Sequence, residues 1–357
     1  MAGVILSRVS GVEELARGFS YRRQMLGRAA PDAAAALRDV VGVYSSHPSA
    51  PLSLYARSAS FDADAFRALE VRRLPAMRGS IHLMPRETAH LPFRALLEGP
   101  ARRAARLKYF NVSEKEYATL RKKVLAVAKK PRSSAELDEA VGAGKKMRGV
   151  IGALGREGAL LRVGAEGLRS NQLQYVAGEV PDADADEALA WLAGEYLRAF
   201  GPVRRQDFVW WAGVTAKRAA AALGTVETEE LDDGFLLAAD DRKEFEAAKP
   251  PPRQAVDLLP KWDCYTMGYP AGGRGRFADP GVAERCYDFR GDGRGVVLVG
   301  GSAVAAWDAR FAGKKMEITL ELFEKPAAKL RKAIDAAFED VALLLGAREV
   351  AFAYEPR

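Results

Sequence analysis

Cysteine is nearly absent. Cys264 and Cys286 are the only two in 357 residues, which excludes a disulfide framework for a chain of this size and leaves open whether the two pair. Histidine is almost as scarce. With only His47, His82 and His90, and neither an HExxH helix nor a paired CxxC, no metal site is expected. No window approaches 18 consecutive apolar residues, so no membrane span is expected. The opening run MAGVILSRVSGVEELARGF is too short in apolar residues for a secretory signal and meets Glu13 and Glu14 at once, so the expected location is cytoplasmic. There is no phosphate-binding P-loop and no GxSxG elbow, and GGRGR lacks the strand before and helix after that a dinucleotide fingerprint needs. No cofactor is expected.

What is present is a globular composition, 48% apolar and 28% charged, long enough for two or three domains. The net charge of +7 permits a polyanionic partner, but only its distribution decides. The most telling stretch is 144–176. It reads as a helix over 147–156 followed by two brief strands, 159–163 and 172–176. Upstream, Ser133 or Ser134 suits a helix N-cap and Gly142 a helix stop. Helix, turn, helix and hairpin in that order outline a winged helix-turn-helix. Its charge is one-sided: Lys145, Lys146, Arg148, Arg156, Arg162 and Arg169 against Glu157 and Glu166. Such a surface suits a phosphate backbone. Solvated charges on a purely packing domain are the plainer account, and DNA contact is favoured over it.

The outline recurs. Residues 1–110 show helical patterns over 11–17, 32–44 and 62–69, then extended pieces at 71–76 and 80–84 joined by Met77-Arg78-Gly79. His82 alternates out of phase with Ile81 and Leu83. A basic segment with Arg102, Arg103, Arg106 and Lys108 follows. Residues 111–180 form the second unit, opened by a helix over 113–129 with Ser113 and Glu116 as a capping box. Residues 181–250 give three helices and a hairpin, this one carrying Glu227, Glu229, Glu230, Asp232 and Asp233, which would repel phosphates. Trp210 and Trp211 suit core and interface packing better than base stacking. Lys249 to Pro252 reads as a stiff linker, and 251–357 as a β-rich region. That region has strands at Gly295–Val299, 303–308, 315–320 and 349–354, and a helix over 326–344. Its Gly-rich loop AGGRGRFADPG bears Arg274 and Arg276; a mobile loop entering a DNA groove and an inert surface loop are equally good readings.

Several segments resemble a known family. GVYSSHPSAPLSLYAR (42–57), MRGSIHLMP (77–85), GPVRRQDFVWWAG (201–213), LLPKWDCYTMGY (258–269) and VVLVGGSAVAAW (296–307) occur in the order found in bacterial AlkZ/YcaQ-type DNA glycosylases. There the corresponding segments read GLQAQDP…LALWAR, MRGTLHLLP, GPxTxxDFxxWxG and LLPxxDxYxxGY. The resemblance covers nearly the whole chain. It implies an α+β fold of three tandem winged helix-turn-helix units with a β-rich C-terminal region, C-shaped around duplex DNA. It also implies excision of alkylated, N7-adducted purines, where a Gln-x-Gln or Gln-x-Asp pair places a water and steadies the sugar cation.

The sequence departs from the family at that pair. Alignment from Gly42 sets Tyr44 and Ser46 at the two positions, with His47 beside the second, and the segment is about one residue short before YAR. Tyr44, Ser46 and His47 are therefore the candidate catalytic residues. For His47 a general base is one reading, and a structural His-Pro before a turn is the favoured one. Lys145, Lys146, Arg148, Arg162, Arg169, Arg274 and Arg276 are the candidate DNA-binding residues. The expectation is a monomer on double-stranded DNA, working as a monofunctional glycosylase. The alternatives are a non-catalytic DNA-binding sensor or regulator that has lost the excision pair, and a protein-binding scaffold.

Overall fold

The computed structural model describes residues 11–46, 48–165, 167–170, 172–324 and 327–355. His47 and Glu166 lie outside the described residues.

Capping chemistry sets the helix boundaries in the middle of the chain. Ser133, rather than Ser134, caps Ser134–Val141: its hydroxyl accepts from the Glu136 N–H at 3.2 Å while the Glu136 carboxylate accepts from the Ser133 N–H at 2.7 Å. Gly142 ends that helix at φ +72°, a left-handed conformation glycine adopts without a Cβ penalty. Ser113 caps Glu114–Val127 through its hydroxyl, which accepts from the Glu116 N–H at 3.2 Å, while the Glu116 carboxylate is held by Lys146 in place of closing the expected capping box. These two helices and Met147–Glu157 bury Tyr117, Leu120, Val124, Leu137, Val150 and Leu154 in a core of their own. Strands Leu160–Gly164 and Leu173–Ala177 then pair antiparallel, as the sequence predicts to within a residue.

That hairpin does not stand alone. Arg162 pairs with Arg73 of Val71–Pro75. One five-stranded sheet therefore runs in the order Val43–Tyr44, Ile81–Pro85, Val71–Pro75, Leu160–Gly164, Leu173–Ala177, across the expected boundary at 110.

The expected helix over 32–44 ends early. Asp32 caps Ala33–Asp39, its carboxylate accepting from Ala35 N–H at 2.8 Å. The chain then turns through Val41 at φ +68° into strand Val43–Tyr44. Gly42 is what permits this, because a Cβ there would stand 2.6 Å from Met84 Cγ and 3.0 Å from the Leu83 carbonyl oxygen. The turn delivers Tyr44 opposite His82 in register. Strand Ile81–Pro85 is covered on both faces, so His82, though out of phase with Leu83, is buried as well.

Helices Ala185–Phe200, Arg205–Ala212 and Ala216–Leu223 are followed by the short strands Thr228–Glu230 and Leu236–Ala238. Tyr196, Phe200, Phe208 and Trp211 form an aromatic core, with Trp211 4.6 Å from Tyr196 between ring centres. The C-terminal region is a five-stranded sheet in the order Val256–Leu259, Gly295–Val299, Ser302–Ala312, Lys315–Leu322, Glu349–Glu355. Its last strand is parallel to its neighbour, the crossover being helix Ala328–Leu344, which sets Phe338 against Trp307. No described helix is long and apolar enough to cross a membrane.

The two cysteines are unpaired and buried in separate places. Burial pushes both thiols up to about 12. The reactive species is the thiolate, so neither is expected to react with an aromatic disulfide reagent at pH 8 until denaturant is added, when both should. Prompt labelling of the folded protein at either cysteine would contradict this packing.

Candidate active site

A buried ion pair fixes the ground on which the site stands. Arg57 and Asp263, both fully buried side chains, meet in a two-pronged contact, Nη1 to Oδ2 and Nη2 to Oδ1, each at 2.8 Å. Ser53 Oγ donates to the same carboxylate at 2.7 Å and the Tyr265 N–H at 2.9 Å, while Arg57 also reaches the Ser53 carbonyl. Burial opposes the Arg57 charge, and Asp263 more than offsets it, leaving the guanidinium pKa above its ordinary value. Segment 42–57 is thereby clamped to segment 258–269.

Above this clamp lies a cavity of about 480 Å³, lined by Tyr44, Ser45, Ser46, Arg78, Arg162, Trp262 and Asp292 among others. The strand Val43–Tyr44 sends Tyr44 into it, with the ring 4.5 Å from that of His82. Arg78 Nη2 donates to Tyr44 Oη at 2.6 Å and to the Met267 carbonyl at 3.1 Å, and its guanidinium lies 3.9 Å over Trp210. Burial raises the Tyr44 pKa and Arg78 opposes the shift only in part, so the phenol keeps its proton at neutral pH. His82 donates from Nδ1 to the Ser80 carbonyl at 3.1 Å. Burial above all, with Arg78 adding to it, lowers His82 to about 4, so its imidazole is neutral.

Three polar atoms at the cavity are buried without a hydrogen-bond partner among the described residues: Ser45 Oγ, Ser46 Oγ and Arg78 Nη1. Buried polar atoms are ordinarily satisfied. Two of the lining residues other than glycine also hold left-handed backbone, Arg78 at φ +52° and Trp262 at φ +59°. Such conformations cost roughly 1–3 kcal/mol each and persist where surrounding structure enforces them.

The cavity opens beside a second of about 600 Å³ that shares Arg78 and Gly79. Arg102, Arg106, Arg156 and Arg218 line it, against a single acid among the described residues, Glu98. Glu98 binds Arg106 at 2.6 Å, and Arg156 also donates to the Gly79 carbonyl at 3.2 Å.

The chain belongs to the AlkZ-like DNA glycosylase family. The family model for DNA glycosylase AlkZ-like proteins matches residues 37–344, which contain every lining residue just named. Membership associates the chain with DNA repair. The fold is similar to that of Streptomyces sahachiroi DNA glycosylase AlkZ, with a TM-score of 0.72 at 19% identity, over 96% of this chain and 99% of that one. No curated protein matches.

Of the residues expected from sequence in this AlkZ-like chain, the structure brings Tyr44, Ser46 and Arg162 together at the cavity. His47 lies outside the described residues. Lys145 and Arg148 are exposed at the start of Met147–Glu157, whereas Lys146 is paired with Glu116 at 2.6 Å. Arg169 is exposed and lies 3.8 Å over Phe311 of the C-terminal sheet.

The Gly-rich loop is a correction. Residues Ala271–Arg276 form a turn of 3-10 helix, and Arg276 is buried, donating to Ser20 Oγ and to the Phe200 and Pro202 carbonyls with its guanidinium 4.4 Å over Tyr269. An arginine with that many internal acceptors is a packing strut and is not presented to a partner. Arg274 is half-buried, 3.4 Å over Tyr287. Sequence reasoning missed Asp292 and Trp262 as lining residues and the arginine-lined second cavity. Asp292 sits in FRGDGRG, where nothing in composition marks it. The signal for the arginines was present in the basic segment after Pro100.

Proposed function

We propose that the protein is a monofunctional DNA glycosylase that hydrolyses the N-glycosidic bond of cationic, N7-alkylated purines in duplex DNA. The observation that carries this reading is the cavity: the positions corresponding to the family's excision pair, Tyr44 and Ser46, open into it beside unsatisfied polar atoms and two arginines. An N7-alkylated purine already carries the positive charge of a good leaving group. The protein's share is then to hold the nucleotide, place a water and meet the developing sugar cation. Among the described residues lining the cavity none is a lysine, so the lining offers no amine for a covalent Schiff base, and water is the nucleophile.

The three runs of helices and hairpin are read as winged helix-turn-helix units. The basic start of Met147–Glu157 and the arginine-lined second cavity form the path of the phosphate backbone, and the acidic third hairpin, which would repel phosphates, takes no part in it. The replacement of Gln by the short Ser46 favours one other reading, a DNA-binding protein that recognises damage without excising it.

Single-turnover excision on duplexes containing N7-methylguanine or a bulky N7 adduct, with alkaline cleavage of the abasic product, separates the two. Release above the spontaneous rate supports the glycosylase. Salt-sensitive binding with no release of either adduct supports the non-catalytic reading. Both readings predict that reversing Lys145 and Arg148 to Glu weakens duplex binding whatever the sequence. The salt slope should fall by roughly one for each phosphate that is no longer neutralised. Unchanged affinity and slope would remove this helix from the interface.

A further inference from the structure

We propose that Asp292 supplies the carboxylate of the excision site, doing from a C-terminal turn what the family's missing acid or amide does beside Tyr44; this deepens the glycosylase reading and rests on it.

The turn that carries Asp292 is firmly built. The Asp288 carboxylate accepts from the N–H groups of Arg290 and Asp292, at 2.9 and 3.0 Å, and the Asp288 N–H donates to the Asp292 carbonyl at 2.9 Å. The next residue but one, Arg294, pairs with Glu321 at 2.7 Å, and the Trp262 N–H donates to the Gly293 carbonyl at 3.1 Å. Asp292 is thus fixed at the cavity wall through its backbone. Its own carboxylate has no hydrogen bond or ion pair among the described residues, although Arg78 and Arg162 line the same cavity. Burial above all raises the Tyr44 phenol, and the charge of Asp292 across the cavity adds the least of the contributions to that shift. This half-buried carboxylate, without a protein partner among the described residues, shares its cavity with two guanidinium groups and is open to a ligand there.

The charges at the cavity match a nucleotide in the act of losing its base. A nucleotide within a strand brings two flanking phosphodiesters, each with one negative charge, and the sugar becomes an oxocarbenium cation as the base departs. Arg78 and Arg162 answer the phosphodiesters, and Asp292 answers the cation. The steps balance. The C1′–N9 bond breaks and its electron pair leaves with the purine, neutralising the charge of the alkylated ring. Water adds its oxygen lone pair to C1′, and its proton passes to Asp292. The neutral Tyr44 phenol and the unpartnered Ser45 and Ser46 hydroxyls remain as hydrogen-bonding groups for that water.

The test is binding to two product-like duplexes at one salt concentration, one holding a pyrrolidine abasic nucleotide, protonated and cationic, the other its neutral tetrahydrofuran counterpart. The wild-type protein is expected to prefer the cationic duplex at least tenfold, and Asp292→Asn to bring the two affinities together. Asn occupies the same volume, so the turn should survive, and an unchanged melting temperature checks that it does. A wild type with no preference, or a preference that Asp292→Asn retains, overturns the proposal. The excision assay judges the glycosylase reading separately. A cation preference that depends on Asp292, in a protein releasing no adduct, would uphold this site and reject that activity.

Discussion

Asp263→Ala is expected to cost about 3–5 kcal/mol of folding free energy, the usual penalty for removing one partner of a buried ion pair. The loss does not measure the attraction alone. It strands the Arg57 guanidinium at a fully buried position and removes the acceptor used by Ser53 Oγ and the Tyr265 N–H. Asp263→Asn should be milder, since an amide oxygen retains part of that acceptor capacity. Replacing both partners with apolar residues, Arg57→Met with Asp263→Leu, should cost less than the sum of the two single changes, because no buried charge is left uncompensated. Urea unfolding of the wild type, Asp263→Ala, Asp263→Asn, the two apolar single variants and their double measures this. A loss below about 1 kcal/mol for Asp263→Ala would mean that water or another group reaches Arg57, and that the clamp beneath the cavity is looser than the structure has it.

Acidification should destabilise the protein through His82. Its pKa in the folded chain is lowered to about 4 against an ordinary 6.5, so between those values the unfolded state binds more protons than the folded one. The stability this buried neutral ring contributes is fully present above pH 6.5, declines as the pH falls, and is gone near pH 4. The size of the effect is about 3 kcal/mol, from 1.36 kcal/mol per pKa unit. Buried carboxyls such as Asp207 and Asp257, whose pKa values burial raises, run the opposite way in their own range. The diagnostic is therefore the difference between wild type and His82→Gln, measured by urea unfolding from pH 4 to 7. That difference should change with pH inside the window and be flat above it. A constant difference throughout would show that the imidazole already takes up protons in the folded chain. Acid loss of His82 burial would also disturb the cavity, since its ring packs on Tyr44.

Local chemistry made some elements plain. Ser133 and Gly142 bracket a helix by capping alone, and the strand Gly295–Val299 is a continuous apolar run that the structure reproduces residue for residue. Long-range packing overrode local pattern elsewhere. The periodicity through 32–44 is helical up to Asp39, and only the close approach of Gly42 to Met84 and Leu83 explains why Val43 and Tyr44 leave it. Glycine and arginine in AGGRGR have the composition of a mobile basic loop. Nothing local says that Phe200 and Pro202 offer carbonyls to Arg276 from across the fold. For the candidate site, the resemblance located Tyr44 and Ser46. Asp292 comes from more than two hundred residues further along the chain. Only folding sets it on the wall they share.

The pairing of Arg73 with Arg162 has a consequence for how this chain tolerates division. A cut between the two hairpins would break the one registered pair joining Val71–Pro75 to Leu160–Gly164 and uncover their facing edges, and bare edges recruit other strands. The halves would be sticky fragments prone to aggregation. A chain with helix–hairpin runs in series looks as though it could be shuffled as modules, yet this joint makes the first two inherit one another.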